Sequence, residues 1–405
     1  MLNRLPKSIV LVLLLFLLSL PLSAVEIVSV ELERVMSASD VNQFISTLYD
    51  GYERPDAKSS VNVYLMMMRT MHPSGVPTDV RVQIFIPQVS ERVIHGSYLF
   101  TAGSTGLVNV CRASREHEAG IRWGLYRAHV LSYAGQGFIG ILPDYMGYED
   151  WDLLQPYFYA ESEARVIDDA MEAVDRWLRD GGLGDDPNLP SLPRGLSGMT
   201  RVAAGYSQGG HAVFAAADRA ASQPASIRLN GVIGYGPTTD IGDLFQEYPS
   251  VGPMIVEVFS TIYGASVFDP YQVLRREWAD SLEYDVTRQC VGGIQHYYPG
   301  TAEELYEPSF LASLRAGTLM QTHPLIGYIL HENQTGRTAH GIPALICQGT
   351  NDIVVDKSTQ DRVVEEMRAV GNPVQYVIYE GSRHDTRQIA FPDVVAWIES
   401  LGSHQ

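Results

Sequence analysis

From about Gly96 onward, the hydrophobic residues are spaced alternately as in buried strands and as in amphipathic helices. Short apolar runs, each long enough for one strand, are separated by segments whose apolar residues recur with helical periodicity. The strand-like runs include SYLFTAG, FIGILPDY and LNGVIGYG, and the clearest helical segment is ESEARVIDDAMEAVDRWLRD. Strands that alternate with helices in this way predict an α/β fold with a mainly parallel central sheet and helices on both faces.

An antiparallel hairpin is predicted ahead of this region. A Pro/Gly turn around residues 73–77 separates two strand-like runs, VNVYLMMMRT and TDVRVQIFIP. Two strands joined by so short a turn pair antiparallel, and we place them at the edge of the larger sheet.

The strand spacing is interrupted between Thr238 and Gly341. This segment contains helical fragments with many aromatic residues between them, and the strand pattern resumes at IPALICQGTNDIVV. An insertion between the strands of an open α/β sheet predicts a helical cap over the carboxyl edge, where such sheets bind ligands. The apolar stretch from Pro253, PMIVEVFSTIYGASVF, is expected to face the site or a lipid interface, with a structural core helix as the alternative.

The first 24 residues predict a secretory signal peptide. Arg4 and Lys7 precede an apolar run from Ile9 to Leu22, and small residues precede a predicted cleavage after Ala24. A retained membrane anchor is the alternative, although the run is shorter than the roughly 20 apolar residues of a comfortable span. The predicted organisation is a signal peptide over 1–24, an N-terminal part of the core over 25–237, a cap over 238–341 and a C-terminal part of the core over 342–405.

Composition and charge narrow the classes of partner. With 45% hydrophobic and 19% charged residues, the chain has the composition of an ordinary globular protein. Its formal net charge of −18 is spread without a basic stripe, so nucleic acid is not an expected partner. The string from Gly135 to Gly140 matches G-x-G-x-x-G, but it follows a helix and opens a strand, the reverse of a dinucleotide site. We predict no cofactor and no metal.

A strand-to-helix turn with a serine at its apex is the main chemical signal. Ser207 lies between Gly205 and Gly209 in RVAAGYSQGGHAVFAAADRA, after a small apolar strand and before an Ala-rich helix. In so sharp a turn the residues two before and two after the serine nearly touch, so neither can carry a large side chain. The pattern predicts a strained backbone at Ser207 and a nucleophilic hydroxyl; a serine that merely caps the helix is the alternative.

A serine hydroxyl needs a base, normally a histidine oriented by a carboxylate. Asp352 follows the predicted strand PALICQG, and His384 follows the last predicted strand, VQYVIYEG. The chain order Ser207, Asp352, His384 is the order expected of an α/β-hydrolase sheet, and we predict these three as the catalytic triad. Asp356 and Asp385 are the local competitors, but each lies further from its strand end.

An oxyanion hole is predicted from two backbone segments. The N–H of Gln208, directly after the nucleophile, is expected to supply one donor. The second comes from the loop FTAGSTGLVNVC, where Gly103 and Gly106 permit close approach to the substrate and Ser104 or Thr105 presents the donor. A plain glycine turn is the alternative for this loop.

Taken together, these motifs resemble the secretory lipase family, the lipase-A-like α/β-hydrolases. The resemblance runs from about Val61 to the last helix and rests on GYSQGGH, LPDYMGY, STGLVNVC and QGTNDIVV. It implies a secreted carboxylic-ester hydrolase with a helical cap, acting on acylglycerols or smaller esters without a cofactor. On this resemblance Ser207, Asp352 and His384 match the triad, and Ser104 with Gln208 match the oxyanion donors.

The oxyanion loop departs from the family pattern. Bacterial relatives usually have His-Gly-Thr-Thr-Gly where this chain has Ala102-Gly103-Ser104-Thr105-Gly106. Loss of the histidine changes the hydrogen bonding of the loop and its expected substrate range, although backbone donors can persist. Asp144 and Tyr145 are interpreted as residues that brace this loop, with a catalytic role as the alternative.

The cysteine count suits an oxidising compartment with one disulfide and one spare thiol. Cys347 lies inside the predicted strand PALICQG, where a cysteine is usually a small buried hydrophobe. Cys111 lies just beyond the oxyanion loop and Cys290 lies in the cap, so these two are the favoured pair, and the family resemblance points the same way.

The sequence thus predicts a secreted or periplasmic serine esterase or lipase that forms an acyl-enzyme with apolar acyl esters. Its expected partners are small-molecule or lipid esters, with transient contact between the cap and a lipid interface. A serine peptidase on the same fold is one alternative, and a catalytically silent binding protein is the other.

Overall fold

A nine-stranded sheet lies at the centre of the computed structural model, which describes residues 25–88, 94–184 and 195–402. The predicted signal peptide, residues 1–24, lies outside the described residues. The strands are β1 Glu26–Met36, β2 Ser60–Met71, β3 Pro77–Gln88, β4 Gly96–Thr101, β5 Phe138–Pro143, β6 Arg201–Tyr206, β7 Gly231–Tyr235, β8 Ala344–Gly349 and β9 Val374–Tyr379.

The strand order confirms the predicted mainly parallel sheet. Across the sheet the order is β1-β2-β3-β5-β4-β6-β7-β8-β9. The six strands from β5 to β9 in this order run parallel, and β1, β2 and β3 are joined to them by antiparallel pairing. The carboxyl ends of β6, β8 and β9 therefore meet at one edge of the sheet.

The predicted hairpin is confirmed as β2 and β3, but it is not the edge of the sheet. Strand β1 lies outside it, with Leu32 opposite Tyr64. Sequence reasoning missed β1 because an edge strand leaves most side chains in water and so loses the alternation that marks a half-buried strand. Within β1 only Met36 is buried, and Val28 and Val35 are exposed.

Sixteen helices are found within the described residues, and those outside the insert cover both faces of the sheet. They are α1 Ala38–Ile45, α2 Tyr126–Ala134, α3 Ala160–Arg179, α4 Gln208–Asp218, α5 Ile241–Glu247, α6 Gly252–Tyr263, α7 Pro270–Val273, α8 Arg276–Ala279, α9 Leu282–Thr287, α10 Val291–Tyr297, α11 Ala302–Leu305, α12 Pro308–Arg315, α13 Leu319–Thr322, α14 Pro324–Glu332, α15 Lys357–Ala369 and α16 Phe391–Gly402. One hydrophobic core joins α3, α4 and α15 to the sheet, and a second joins α1, α2 and α16 to its other face.

Residues 238–341, here called the insert, form the ten helices α5–α14 between β7 and β8. The insert has a third hydrophobic core, to which Tyr157 and Phe158, from the segment between β5 and α3, also contribute. Ile255 and Phe259 of α6 are fully buried in that core. The expectation that this apolar stretch faces the site or a lipid interface is therefore wrong, and its alternative, a core helix, is what the structure contains.

A disulfide joins the insert to the loop after β4. Cys111 and Cys290 form it across a separation of 179 residues, and Cys347 is a buried free thiol in β8. These are the pair and the spare cysteine that the sequence favours. Next to the bond, the N–H of Val291 donates to the carbonyl of Thr105 at 2.8 Å, so the insert and the loop are also joined through their backbones.

Among the described residues, no helix combines the length and the apolar character needed to cross a bilayer.

We expect reduction of the Cys111–Cys290 bond to lower the free energy of unfolding. Closing so long a loop limits the unfolded chain, which in the chain-entropy model is worth about 4–5 kcal/mol at most. Non-reducing peptide mapping should recover the cross-linked pair, with Cys347 alkylated only after unfolding. Free thiols at both loop positions in protein isolated from an oxidising compartment would contradict this.

Candidate active site

The backbone is strained at the serine between β6 and α4. Ser207 has φ 55° and ψ −115°, and it directly precedes Gln208, the first residue of α4. Positive φ in a residue with a side chain is uncommon and is held only where the surrounding structure requires it. The strain predicted for this turn is present.

The neighbouring glycines explain how the turn closes. A Cβ placed on Gly205 would lie 1.9 Å from the carbonyl oxygen of Gly209, and one on Gly209 would lie 2.1 Å from the carbonyl oxygen of Thr101. Each contact is far below van der Waals distance and involves backbone, which has no room to move. Glycine is required at both positions for β6 to turn directly into α4.

Asp352 and His384 are brought together at the ends of neighbouring strands. Asp352 follows β8 and His384 follows β9, and His384 Nδ1 lies 2.8 Å from Asp352 Oδ2. The other carboxylate oxygen of Asp352 accepts the backbone N–H groups of Val354 at 2.8 Å and Val355 at 3.0 Å. A carboxylate can only accept, so Nδ1 carries the proton and, in the neutral ring, Nε2 carries the lone pair.

The competing acids are engaged elsewhere. Asp356 caps α15 by accepting the N–H of Ser358 at 2.7 Å. Asp385 forms an ion pair with the buried guanidinium of Arg387, at 2.6 Å from Nη2. Burial raises the pKa of Asp385, but the charge and hydrogen bonds of Arg387 outweigh it and lower this pKa to about 2. Neither carboxylate orients His384.

Ser207 and His384 open onto one cavity of about 350 Å³. His384 Nε2 is buried and has no hydrogen-bond partner among the described residues, which leaves its lone pair available to a proton donor in the cavity. Tyr206 packs on the His384 ring, with centroids 5.0 Å apart, and limits its orientation. The insert contributes to the lining of this cavity through Leu244, Tyr248, Val251, Val291 and Gln295.

The two predicted oxyanion segments both adjoin the cavity. The N–H of Gln208 belongs to the first turn of α4, where backbone N–H groups have no partner within the helix. Ser104 lines the cavity from the loop after β4, and its hydroxyl lies 2.6 Å from the hydroxyl of Tyr157. Ser104 is among the residues that line the cavity, whereas Gln208 is not among them and directly follows Ser207, which is.

Asp144 and Tyr145 brace the loop after β4. The Tyr145 hydroxyl donates to the carbonyl of Ala102 at 2.7 Å, and Asp144 accepts the N–H of Ser114 at 2.8 Å. Burial raises the pKa of Asp144 to about 6. Neither residue lines the cavity, which favours the bracing interpretation over a catalytic one.

Sequence reasoning missed two buried polar residues beneath the turn. Glu163 on α3 and His211 on α4 lie within hydrogen-bond distance of each other, and Glu163 also accepts from the side chain of Gln208. Two signals were present: an acid on the apolar face of an amphipathic helix, and a histidine one helical turn after Gln208. Among the described residues, no cluster of His, Cys, Asp and Glu is arranged to hold a metal ion.

Known structures share this architecture, whereas comparison with protein-family models and with curated proteins gives no match. The crystal structure of the rice cell wall degrading esterase LipA from Xanthomonas oryzae matches with TM-score 0.70 at 17% identity, over 93% of this chain and 96% of that chain. A putative hydrolase from Legionella pneumophila matches with TM-score 0.68 at 17% identity, over 93% and 97%. Candida antarctica lipase A in its closed state matches with TM-score 0.64 at 15% identity, over 94% and 82%.

The chain has the fold of the lipase-A-like α/β-hydrolases. The resemblance inferred from the motifs is confirmed at the level of fold, over nearly the whole described chain. In this lipase-A-like fold the loops after β6, β8 and β9 carry Ser207, Asp352 and His384 to one edge of the sheet.

We expect alanine at Gly205 to destabilise the lipase-A-like fold and to reduce the yield of folded protein. Overpacking of this kind typically costs about 1–3 kcal/mol, and here the clash is with backbone. Gly292→Ala is the matched control, because a Cβ there meets nothing within 4 Å. Thermal unfolding of both variants measures the difference, and equal stability would show that the turn can relax.

Proposed function

We propose that the protein is a serine carboxylic-ester hydrolase, a lipase or esterase, in which Ser207, His384 and Asp352 form the catalytic triad. The observation that carries the proposal is that a strained serine and an Asp-oriented histidine open onto one cavity. The fold supports it, because solved structures with this architecture include an esterase and a lipase.

The first chemical step is acylation of Ser207. His384 Nε2 accepts the hydroxyl proton as the serine oxygen bonds to the ester carbonyl carbon, giving a tetrahedral oxyanion. Asp352 stabilises the imidazolium through the hydrogen bond to Nδ1. When the carbon–oxygen bond to the alcohol breaks, His384 returns the proton to the departing oxygen.

The second step is hydrolysis of the acyl-enzyme. Water enters, His384 Nε2 takes one of its protons, and the hydroxide oxygen bonds to the acyl carbon. The second oxyanion collapses, the bond to Ser207 breaks, and the serine regains the proton from His384. In both steps Gln208 and Ser104 are assigned as oxyanion donors, since charge there is present only in the transition states and intermediates.

The cavity favours an acyl group that is largely apolar. Leu244, Val251 and Val291 of the insert line it together with aromatic side chains from outside the insert, and its polar lining groups include Gln295, Arg383 and Asp385. We assign the insert, residues 238–341, as the cap of the site, between core segments 25–237 and 342–405. Cap contact with a lipid interface is part of the same proposal, supported by the exposed Leu325 of α14.

The proposal also includes secretion of the protein. The charged start, the apolar run and the small residues before Val25 support a signal peptide over 1–24. The Cys111–Cys290 disulfide is consistent with an oxidising compartment, periplasmic or extracellular.

The defining experiment is a turnover assay with p-nitrophenyl esters of increasing acyl length beside an aminoacyl-nitroanilide. We expect ester hydrolysis that Ser207→Ala reduces by several orders of magnitude, because the nucleophile is lost with little change in packing. Faster cleavage of the anilide would favour the peptidase alternative. Binding of esters without turnover would favour a catalytically silent protein.

Two aspartates only four residues apart provide a matched pair. Asp352→Asn should lower kcat by about 10⁴, because an amide cannot hold His384 in the required tautomer. Asp356→Asn keeps a good helix cap and should change kcat little. Similar losses in both variants would remove Asp352 from the triad.

A further inference from the structure

A buried carboxylate lies beneath the serine turn and outside the triad. Glu163, in the first turn of α3, has a side chain that is 2% exposed. Its Oε1 accepts Gln208 Nε2 at 2.7 Å and the backbone N–H of Phe158 at 3.1 Å, and its Oε2 lies 2.5 Å from His211 Nδ1. One carboxylate thus joins α3, α4 and the loop that precedes α3.

The contacts of His211 indicate a proton on Nε2 and a second proton between Nδ1 and Glu163. That second proton either resides on Nδ1 or is shared with the carboxylate. The Nε2 of His211 lies 2.7 Å from the carbonyl oxygen of Asn333, and a carbonyl can only accept, so Nε2 carries a proton. Its Nδ1 faces Glu163 Oε2 at a distance that also needs a proton between the two atoms. Two N–H groups donate to Glu163 Oε1 and stabilise a negative charge there, which favours imidazolium and carboxylate over a neutral acid beside a neutral imidazole.

No other charged group that the structure describes pairs with Glu163 or His211. Among the described residues Glu163 and His211 form no ion pair except with each other. The phenols of Tyr145 and Tyr157 also lie near the carboxylate, and both are neutral because burial raises their pKa values. On the insert side the contacts are Asn333 and its partner, the Tyr263 hydroxyl. Burying a lone ion pair costs desolvation energy, so stability alone gives little reason for it.

The pair is connected to both predicted arms of the oxyanion hole. It anchors the side chain of Gln208, whose backbone N–H is the first arm. It also anchors Phe158, which has a φ of 56° and directly follows Tyr157, the residue that contacts the Ser104 hydroxyl in the second arm. A shift of the carboxylate would therefore move both arms.

We propose that Glu163, held as a carboxylate by a doubly protonated His211, is a positioning residue for the oxyanion hole. It fixes Gln208 directly and Ser104 through Phe158 and Tyr157. The inference rests on the proposed ester-hydrolase function, in which Gln208 and Ser104 serve as oxyanion donors.

Two substitutions at Glu163 distinguish the role of its hydrogen bonds from the role of its negative charge. In Glu163→Gln the amide oxygen still accepts from Gln208 and Phe158, and the amide nitrogen donates to Nδ1 of a neutral His211. That variant keeps the geometry without the buried ion pair. Glu163→Ala removes the carboxylate that accepts these hydrogen bonds. The side chain of Gln208 and the backbone N–H of Phe158 then each lose their partner.

We expect Glu163→Ala to lower kcat for p-nitrophenyl acetate by roughly tenfold to a hundredfold per titrated active site, with KM changed far less. Glu163→Gln should restore kcat to within about threefold of the wild type, since the donors remain in place. The matched control is Asp175→Ala on the same helix, a buried acid that accepts the N–H of Leu196 at 2.7 Å away from the cavity. Asp175→Ala should lower the thermal stability of the protein and leave kcat unchanged.

A spectroscopic measurement on the wild type does not depend on the folding of any Glu163 variant. With ¹⁵N-labelled histidine near pH 8, above the ordinary imidazole pKa of about 6.5, we expect one ring with both nitrogens protonated. His211→Asn should remove that signal and so assign it, and Glu163→Gln should leave His211 singly protonated.

Three results would overturn the inference: a singly protonated His211 in the wild type, wild-type kcat in Glu163→Ala, or equal losses in Glu163→Ala and Glu163→Gln. Absence of ester turnover in the wild type would instead overturn the proposed function, and the oxyanion assignment with it. Wild-type turnover in Glu163→Ala would overturn only the positioning role.

Discussion

The close approach of two backbone segments at the turn between β6 and α4 is the constraint on which the rest of the site depends. Gly205 and Gly209 can contact each other only because neither has a side chain, and Ser207 is held at positive φ as a result. This geometry places Ser207 at the cavity and begins α4 directly after it. It also places Gln208 and His211 on one face of α4, so that both reach Glu163.

Hydrogen-bonded carboxylates surround this turn, and each fixes a different element. Asp352 orients His384 at the end of β9, and the Asp385–Arg387 pair stabilises the loop that carries His384. Buried carboxylates are tolerated here because each accepts several hydrogen bonds and faces a cation or an N–H donor. A further carboxylate, Glu163, accepts from the side chain of Gln208 and from the backbone N–H of Phe158. The carboxylates named here are thus hydrogen-bonded, which limits how far they can move.

Much of the fold could be predicted from the sequence, because parallel strands that are buried on both faces produce uninterrupted apolar runs. The glycines of the turn between β6 and α4, and the chain order of Ser207, Asp352 and His384, could likewise be predicted from local sequence patterns. Strand β1 could not be predicted in this way, since an edge strand needs few apolar residues. The orientation of α6 was also mispredicted, because a very apolar helix has the same composition whether it packs inside the insert or faces a ligand.

The Glu163–His211 pair shows what one-dimensional patterns leave out. The two residues are 48 positions apart, and only the packing of α3 against α4 brings them together. Asn333 completes the contact from the end of α14, so the insert is connected to the helix that follows Ser207. Long-range contacts between polar groups of this kind depend on tertiary structure and carry no periodic signature in the chain.

Covalent labelling with an organophosphonate ester tests whether Ser207 is a nucleophile activated by His384. We expect a single mass increment located on the peptide that contains Ser207, and a labelling rate that falls by orders of magnitude in His384→Ala. Label on another residue, or equally fast labelling without His384, would contradict this expectation.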